Sequence, residues 1–112
     1  MERKTIAVDL DKTLAFYHSG MGLRVVGKPI GPMIKRVRNW LAEGHKVVIF
    51  TARAGARGAR PVIRQWLRRH GLPELEITNI KSPEFTEIWD DRAVQVGANT
   101  GEPVTYWTSR FA

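Results

Sequence analysis

Short apolar runs alternate along the chain with longer segments in which apolar residues recur at helical spacing. The short runs are bounded by polar residues and predict buried strands, whereas the longer segments predict helices. One helix is predicted from Pro32 to a stop at Gly44, and another from about Pro61 to a stop at Gly71. The predicted strands are residues 4–9, 46–50, 75–78 and 86–89, with weaker candidates at 93–96 and 104–107.

This order of strand, helix, strand, helix and strand is typical of a parallel sheet covered by helices. A chain of 112 residues corresponds to one domain, and no repeat or linker divides it. We therefore expect one α/β domain over residues 1–112, a three-layer, Rossmann-like parallel sheet with helices on both faces.

Polar side chains follow each predicted strand. They are Asp9 and Asp11 after the first strand, Thr51 after the second, Lys81 shortly after the third, and Asp90 and Asp91 after the fourth. A single Asp or Thr at such a position is more often a cap, and a single Lys is usually a surface residue. Here, however, four of the 11 acidic residues fall at strand ends. In parallel sheets ligands bind beyond the carboxyl ends of the strands, so a binding site is predicted there.

Two carboxylates as close in sequence as Asp9 and Asp11 repel each other unless a positive charge lies against them. The chain has no cysteine, which excludes disulfides and thiolate metal sites. Carboxylate oxygens are the ligands that Mg²⁺ prefers, and Mg²⁺ leaves positions open for water and phosphate. The sequence therefore predicts Mg²⁺ at the acidic edge.

The order of these groups resembles the haloacid dehalogenase-like superfamily of phosphohydrolases. The first motif, DxDxT after a strand, matches residues 9–13, and the second matches Thr51 in VVIFTAR. The third, a lysine, matches Lys81 in TNIKSPEF, and the fourth matches Asp90 and Asp91 in EIWDDRA. The resemblance covers residues 5 to about 96.

The resemblance implies a role for each matching residue. Asp9 is the expected nucleophile that becomes an aspartyl phosphate, and Asp11 the expected general acid and base. Thr51 and Lys81 are expected to hold phosphoryl oxygens. The expected Mg²⁺ ligands are Asp9, the backbone carbonyl of Asp11, and Asp90, with Asp91 supporting from the same loop.

Three further residues in these motifs are candidates for substrate binding, namely Lys12, Thr13 and Arg53. Lys12 occupies a position where many superfamily members carry glycine. The connection from Lys81 to Asp90 is short, so the helix usual there is expected to be abbreviated.

Many superfamily members carry a cap domain over the site. Between Asp9 and Thr51 a predicted helix and strand leave only residues 14–29 unassigned, and these suffice for a flap. We therefore expect an enzyme without a cap and with an open site, which accepts a macromolecular end or a small molecule. His18 in this flap is a candidate for contact with a leaving group, although a packing or surface role is more common for such a residue.

The formal net charge of +7 favours anionic partners, although a basic surface without a specific partner is equally compatible with it. The candidate nucleic-acid-binding residues are Arg57, Arg60, Arg64 and Arg68, which share one face of the second helix; the alternative is a solvated helix face. The expected activity is a Mg²⁺-dependent phosphomonoesterase acting on a phosphorylated substrate, such as a nucleotide or a nucleic-acid end. The alternatives are a metal-dependent nuclease and a basic nucleic-acid-binding module without catalysis.

No apolar run approaches the roughly 20 residues of a membrane helix, and the N-terminus lacks a signal-peptide pattern. We therefore expect a cytoplasmic protein that does not contact membranes. A neighbouring subunit that closed the site would suit it to a small molecule, so an oligomer is also compatible with the sequence.

Overall fold

The computed structural model describes residues 2–104. Within them the chain forms strand β1 (Thr5–Val8), helix α1 (Gly31–Ala42), strand β2 (Lys46–Phe50), helix α2 (Ala59–Arg69), strand β3 (Glu76–Thr78) and strand β4 (Glu87–Trp89). A short 3-10 helix, Ala52–Gly55, lies between β2 and α2. The four main predicted strands and both predicted helices are confirmed, with ends that differ by one or two residues.

The four strands form one parallel sheet in the order β3-β2-β1-β4. β1 lies in the centre and pairs with β2 on one side and with β4 on the other. Because all strands run the same way, their carboxyl ends meet at one edge of the sheet. The predicted α/β, Rossmann-like class is confirmed.

The main core lies between the sheet and the two helices. Ile6 and Val8 of β1 are fully buried and point to the same face as Val47 and Ile49, their partners in β2. Buried side chains of α1 and α2 join the same cluster; they are Ile34, Val37, Ile63, Trp66 and Leu67. Burial of these apolar side chains is the main force that fixes the helices on the sheet.

The opposite face of the sheet carries Ala7 and Val48, which are also buried. Phe50 follows Val48 on this face, and its ring meets that of Phe85 edge-on at 5.3 Å between centroids. Phe85 belongs to the connection between β3 and β4, so this connection, rather than an α-helix, packs on Phe50 on this side. The helix expected to be abbreviated between Lys81 and Asp90 is absent from the described connection.

Residues 14–29 form the predicted flap, which has little regular structure. Its two ends are joined by an isolated bridge between Ala15 and Pro29, and the Phe16 amide donates to the Lys28 carbonyl at 2.8 Å. Gly27 lies so close to the Phe16 carbonyl oxygen that a Cβ atom would collide with it. The indole Nε1 of Trp66 donates to the Gly27 carbonyl at 2.8 Å, which fixes the base of the flap to α2.

The weaker strand prediction at 93–96 is wrong, because Val96 forms only a single antiparallel bridge, with Pro103. The candidate at 104–107 lies outside the described residues beyond Val104. In the described part of the chain, neither helix has the length and apolar composition needed to cross a membrane.

Candidate active site

A cavity of about 830 Å³ opens at the carboxyl edge of the sheet. Most of the predicted site residues line it, although they come from distant parts of the sequence. The lining residues that bear on catalysis are Asp9, Asp11, Lys12, Thr51, Arg53, Asn79, Asp90, Asp91 and Arg92. The cavity therefore brings together the ends of all four strands.

Three carboxylates form the acidic part of the cavity. One oxygen atom from each of Asp9, Asp90 and Asp91 lies within 4.8 Å of the others. Asp9 follows β1, and its backbone amide donates to the Trp89 carbonyl at 2.9 Å, which aligns it with the end of β4. Among the ion pairs of residues 2–104, none involves these three carboxylates. Three hard oxygen donors without a cationic partner fit the ligand preference of Mg²⁺.

The protonation of Asp9 reflects this crowding. Burial disfavours the charged form, the charge of Asp90 repels it, and a side-chain hydrogen bond with Asp91 stabilises its protonated form. A hydrogen bond from the Leu10 amide acts in the opposite direction. Together these effects raise the pKa of the Asp9 carboxyl from 3.8 to about 7. A cation at the cluster would favour the carboxylate form.

Asp11 lies apart from the three carboxylates and has a partner of its own. Arg53 Nε donates to Asp11 Oδ2 and Arg53 Nη2 donates to Asp11 Oδ1, both at 2.8 Å. The Asp11 side chain is 25% exposed, whereas that of Arg53 is 5% exposed. Asp11 therefore faces the cavity from a fixed, bidentate ion pair, and its carboxylate is not part of the acidic cluster.

Arg53 lines the cavity, so its assignment as a substrate ligand stays a prediction, but its guanidinium already has several partners within the protein. Besides its two bonds to Asp11, its Nη1 atom donates to the flap carbonyls of Val25 at 2.6 Å, Leu23 at 3.0 Å and Gly22 at 3.4 Å. Because these protein acceptors occupy the guanidinium, little donor capacity remains for a substrate.

Thr51 caps a short helix with its side chain and pairs two strands through its backbone amide. Its hydroxyl oxygen accepts a hydrogen bond from the Arg53 amide at 3.2 Å and so caps the short 3-10 helix. Its own amide donates to the Thr78 carbonyl at 2.9 Å, which extends the pairing of β2 with β3. The hydroxyl hydrogen remains available to an acceptor in the cavity, such as a phosphoryl oxygen.

Thr13 does not line the cavity, contrary to its interpretation as a substrate ligand. Its side chain is buried, and its hydroxyl accepts from the Asp91 amide at 3.1 Å and donates to Asp91 Oδ1 at 3.2 Å. This double hydrogen bond joins the loop after β1 to the loop after β4. The role of Thr13 is therefore to position an acidic residue.

Lys81 is exposed and is not among the residues that line the cavity. The chain turns after β3, where the Ile80 amide donates to the Thr78 hydroxyl at 3.0 Å, and Asn79 is the residue of this turn that lines the cavity. The cationic lining residues besides Arg53 are Lys12 and Arg92. His18 is exposed in the flap and does not line the cavity either.

Lys12 has a backbone conformation that favours glycine. Its φ angle is 70°, in the left-handed region that glycine adopts without steric cost. Its amide donates to the Ala15 carbonyl at 2.8 Å, which closes the turn after Asp11. The exposed side chain lines the cavity, as predicted for a substrate ligand.

The flap supplies an apolar wall that the motifs do not reveal. Tyr17, Met21 and Leu23 line the cavity, and Leu23 is 61% exposed. The Tyr17 ring lies 5.9 Å from the Arg53 guanidinium carbon, at the distance of a cation–π contact. The flap sequence carries apolar residues without a regular period, so only its position after Asp11 hinted at this wall.

The four arginines proposed to contact nucleic acid are not all free. Arg60 Nε donates to the Ile77 carbonyl at 3.2 Å, and Arg64 Nε lies 3.8 Å from Glu74 Oε1. Arg57 and Arg68 are exposed. None of the four lines the cavity, and Arg57 lies outside α2. Arg60 thus contacts β3, and Arg64 lies near the loop that precedes β3.

Comparison with known proteins gives the fold and no more. No protein-family model matches the chain, and no curated protein matches it. A solved structure of a conserved protein from Bacteroides thetaiotaomicron is similar, with 22% sequence identity and a TM-score of 0.64. The match covers 83% of this chain and 79% of that chain. At this identity the similarity shows that the two proteins share the α/β fold.

Proposed function

We propose that the protein is a Mg²⁺-dependent phosphomonoesterase of the haloacid dehalogenase-like superfamily, with Asp9 as its nucleophile. The observation that carries the proposal is the meeting of Asp9, Asp11 and Thr51 with Asp90 and Asp91 around one cavity. These residues span positions 9 to 91, and they are the groups that formation of an aspartyl phosphate requires.

In the first step, an Asp9 carboxylate oxygen forms a bond to phosphorus. The bond from phosphorus to the leaving oxygen breaks, and this oxygen takes a proton from Asp11. In the second step, Asp11 accepts a proton from a water molecule whose oxygen attacks phosphorus. The bond to Asp9 then breaks and releases inorganic phosphate.

The surrounding residues assist these steps in different ways. The Thr51 hydroxyl donates to a phosphoryl oxygen, and Lys12 and Arg92 give the cavity positive charge that attracts a phosphate. Asp9, Asp90 and Asp91 would hold Mg²⁺ together with the Asp11 carbonyl. When bound there, Mg²⁺ would offset the negative charge that otherwise opposes attack of a carboxylate on a phosphate.

The apolar wall made by Tyr17, Met21 and Leu23 favours a phosphate ester with an organic leaving group. A planar group such as a nucleobase fits a wall that includes an aromatic ring, because the two can stack. A nucleotide or a nucleic-acid end satisfies this chemistry, and a cavity without a cap domain admits either. A cytoplasmic location agrees with both substrates.

The test is phosphate release by the purified protein with Mg²⁺. The substrates are p-nitrophenyl phosphate, the nucleoside monophosphates and oligonucleotides with a terminal phosphate. Asp9→Asn should abolish release without loss of the fold, and Glu84→Gln serves as the control because Glu84 is an exposed acid in the β3–β4 connection. Release by Asp9→Asn at the wild-type rate refutes the nucleophile assignment.

The same assay separates the alternatives. A nuclease would cleave internal phosphodiester bonds and shorten the oligonucleotides, whereas a phosphomonoesterase removes only the terminal phosphate. A binding module would retain oligonucleotides and release no phosphate. Because Arg60 and Arg64 have partners within the protein, exchange of Arg57 and Arg68 for Glu is the sharper test of nucleic-acid binding.

A further inference from the structure

Arg53 joins two parts of the site that the sequence keeps separate. One side of its guanidinium binds both carboxylate oxygens of Asp11, and Nη1 binds the carbonyls of Gly22, Leu23 and Val25 at the tip of the flap. The carbonyls lie 28 to 31 positions from Arg53 in sequence, and Asp11 lies 42 positions from it. A single buried group is therefore shared between the flap and Asp11.

The flap has two separate attachments. Its base is held by the hydrogen bond from Trp66 to Gly27 and by backbone bonds between residues 14–16 and 28–30. At its tip, three carbonyls accept from Arg53. The guanidinium thus holds the segment that carries Leu23 of the apolar wall.

We propose that Arg53 is a positioning residue that fastens the tip of the flap and orients Asp11 through the same guanidinium. The position of the flap tip and the orientation of the Asp11 carboxylate then both depend on the Arg53 side chain. Release of the flap tip removes three acceptors from Arg53 and leaves the Asp11 pair less constrained. The part of this inference that concerns Asp11 as a general acid depends on the proposed phosphomonoesterase activity.

A first experiment tests the flap without any assay of activity. Trypsin cleaves after Arg24, which is exposed between the carbonyls that Arg53 holds. In Arg53→Met and Arg53→Lys, cleavage after Arg24 should be roughly tenfold faster, because charge-assisted hydrogen bonds at the tip are lost. Arg69→Met is the matched control, since Arg69 is an exposed arginine outside the site. Circular dichroism verifies that each variant is folded, and Arg53→Lys retains the positive charge if Arg53→Met does not fold.

Asp11→Asn extends this test to the shared group. If Arg53 joins Asp11 to the flap, Asp11→Asn also speeds cleavage after Arg24, and the double variant with Arg53→Met is cut no faster than Arg53→Met alone. Unchanged cleavage in Arg53→Met and Arg53→Lys overturns the proposal for the flap. Additive effects in the double variant overturn the link between Asp11 and the flap.

A second experiment tests whether Arg53 orients Asp11. It compares two substrates whose leaving groups differ in basicity. Phenyl phosphate needs a proton donor for its leaving oxygen more than p-nitrophenyl phosphate does. Arg53→Met should therefore lower kcat for phenyl phosphate by roughly tenfold more than for p-nitrophenyl phosphate. Equal losses on both substrates indicate a merely structural role and overturn the positioning of Asp11.

The two experiments separate the inference from the function on which it partly rests. If the wild-type protein releases phosphate from none of the substrates, the proposed function fails, and the trypsin measurements still decide whether Arg53 joins Asp11 to the flap. If the protein is active and cleavage after Arg24 does not change, the function stands and the inference fails.

Discussion

The strongest physical prediction concerns the stability of the protein without metal as the pH rises. Asp9 has its pKa raised from 3.8 to about 7, by burial and by the neighbouring carboxylates. Between these values the folded protein holds a proton that the unfolded chain has already released. The free energy of unfolding therefore falls as the pH rises through this window, and the contribution levels off above pH 7.

The size of the effect follows from the shift. A shift of about three pKa units, at about 1.4 kcal/mol per unit, limits the loss in free energy of unfolding to ~4 kcal/mol. Solvent in the open cavity screens part of this repulsion, so we expect a loss of about 2 kcal/mol between pH 4 and pH 8. For a domain of this size such a loss lowers Tm by roughly 10 °C.

The assay is thermal unfolding of the metal-free protein at intervals from pH 4 to pH 8, compared with Asp9→Asn. Other groups also titrate in this range, so the informative quantity is the difference between the two curves. Asp9→Asn removes the carboxyl and should become more stable than the wild type as the pH rises. The control Glu84→Gln should follow the wild-type curve, because no ion pair of residues 2–104 involves Glu84.

Addition of Mg²⁺ at pH 8 provides the second half of the test. Binding to the folded state should raise the Tm of the wild-type protein. The rise should be much smaller for Asp9→Asn, which has lost one ligand. Two parallel pH curves for wild type and Asp9→Asn, with equal responses to Mg²⁺, would refute the account of the acidic cluster given above.

Three further predictions concern the contacts that hold the site together. Thr13→Val keeps the side-chain shape but loses both hydrogen bonds to Asp91; urea unfolding should show a loss of about 2 kcal/mol, and titration calorimetry a weaker Mg²⁺ affinity. An unchanged affinity would mean that Asp91 is held by other groups. Trp66→Phe leaves the Gly27 carbonyl without its indole donor and should cost about 1–2 kcal/mol in the same unfolding assay, whereas wild-type stability would show that the bond is dispensable. Gly27→Ala forces a Cβ against the Phe16 carbonyl oxygen and should cost about 2 kcal/mol; a value near zero would mean that the flap shifts freely.

The sequence predicts the sheet and the acidic edge well because their signals are local. The apolar runs that become β1 and β2 are bounded by polar residues, and the parallel class follows from the helices between them. Asp9, Thr51 and Asp90 stand directly after strands, so their meeting at one edge follows from the topology alone.

The roles of Arg53 and Thr13 were not predictable in the same way. Each side chain binds a residue far along the chain, Asp11 in one case and Asp91 in the other, and no periodicity encodes such a pair. Lys81 illustrates the converse, since its order in the sequence matched a motif while the turn after Thr78 leaves it outside the cavity lining. The short apolar run at 93–96 was a weaker strand candidate, and it forms only one bridge.

The position of β4 at one end of the strand order has a consequence for how the site is assembled. β4 joins β1 across more than 80 positions of sequence, so this pairing forms only after most of the chain is available. Asp9 therefore follows a central strand, whereas Asp90 and Asp91 follow a three-residue strand at the edge of the sheet. We expect local detachment of that strand to separate Asp90 and Asp91 from Asp9 while the rest of the core stays folded.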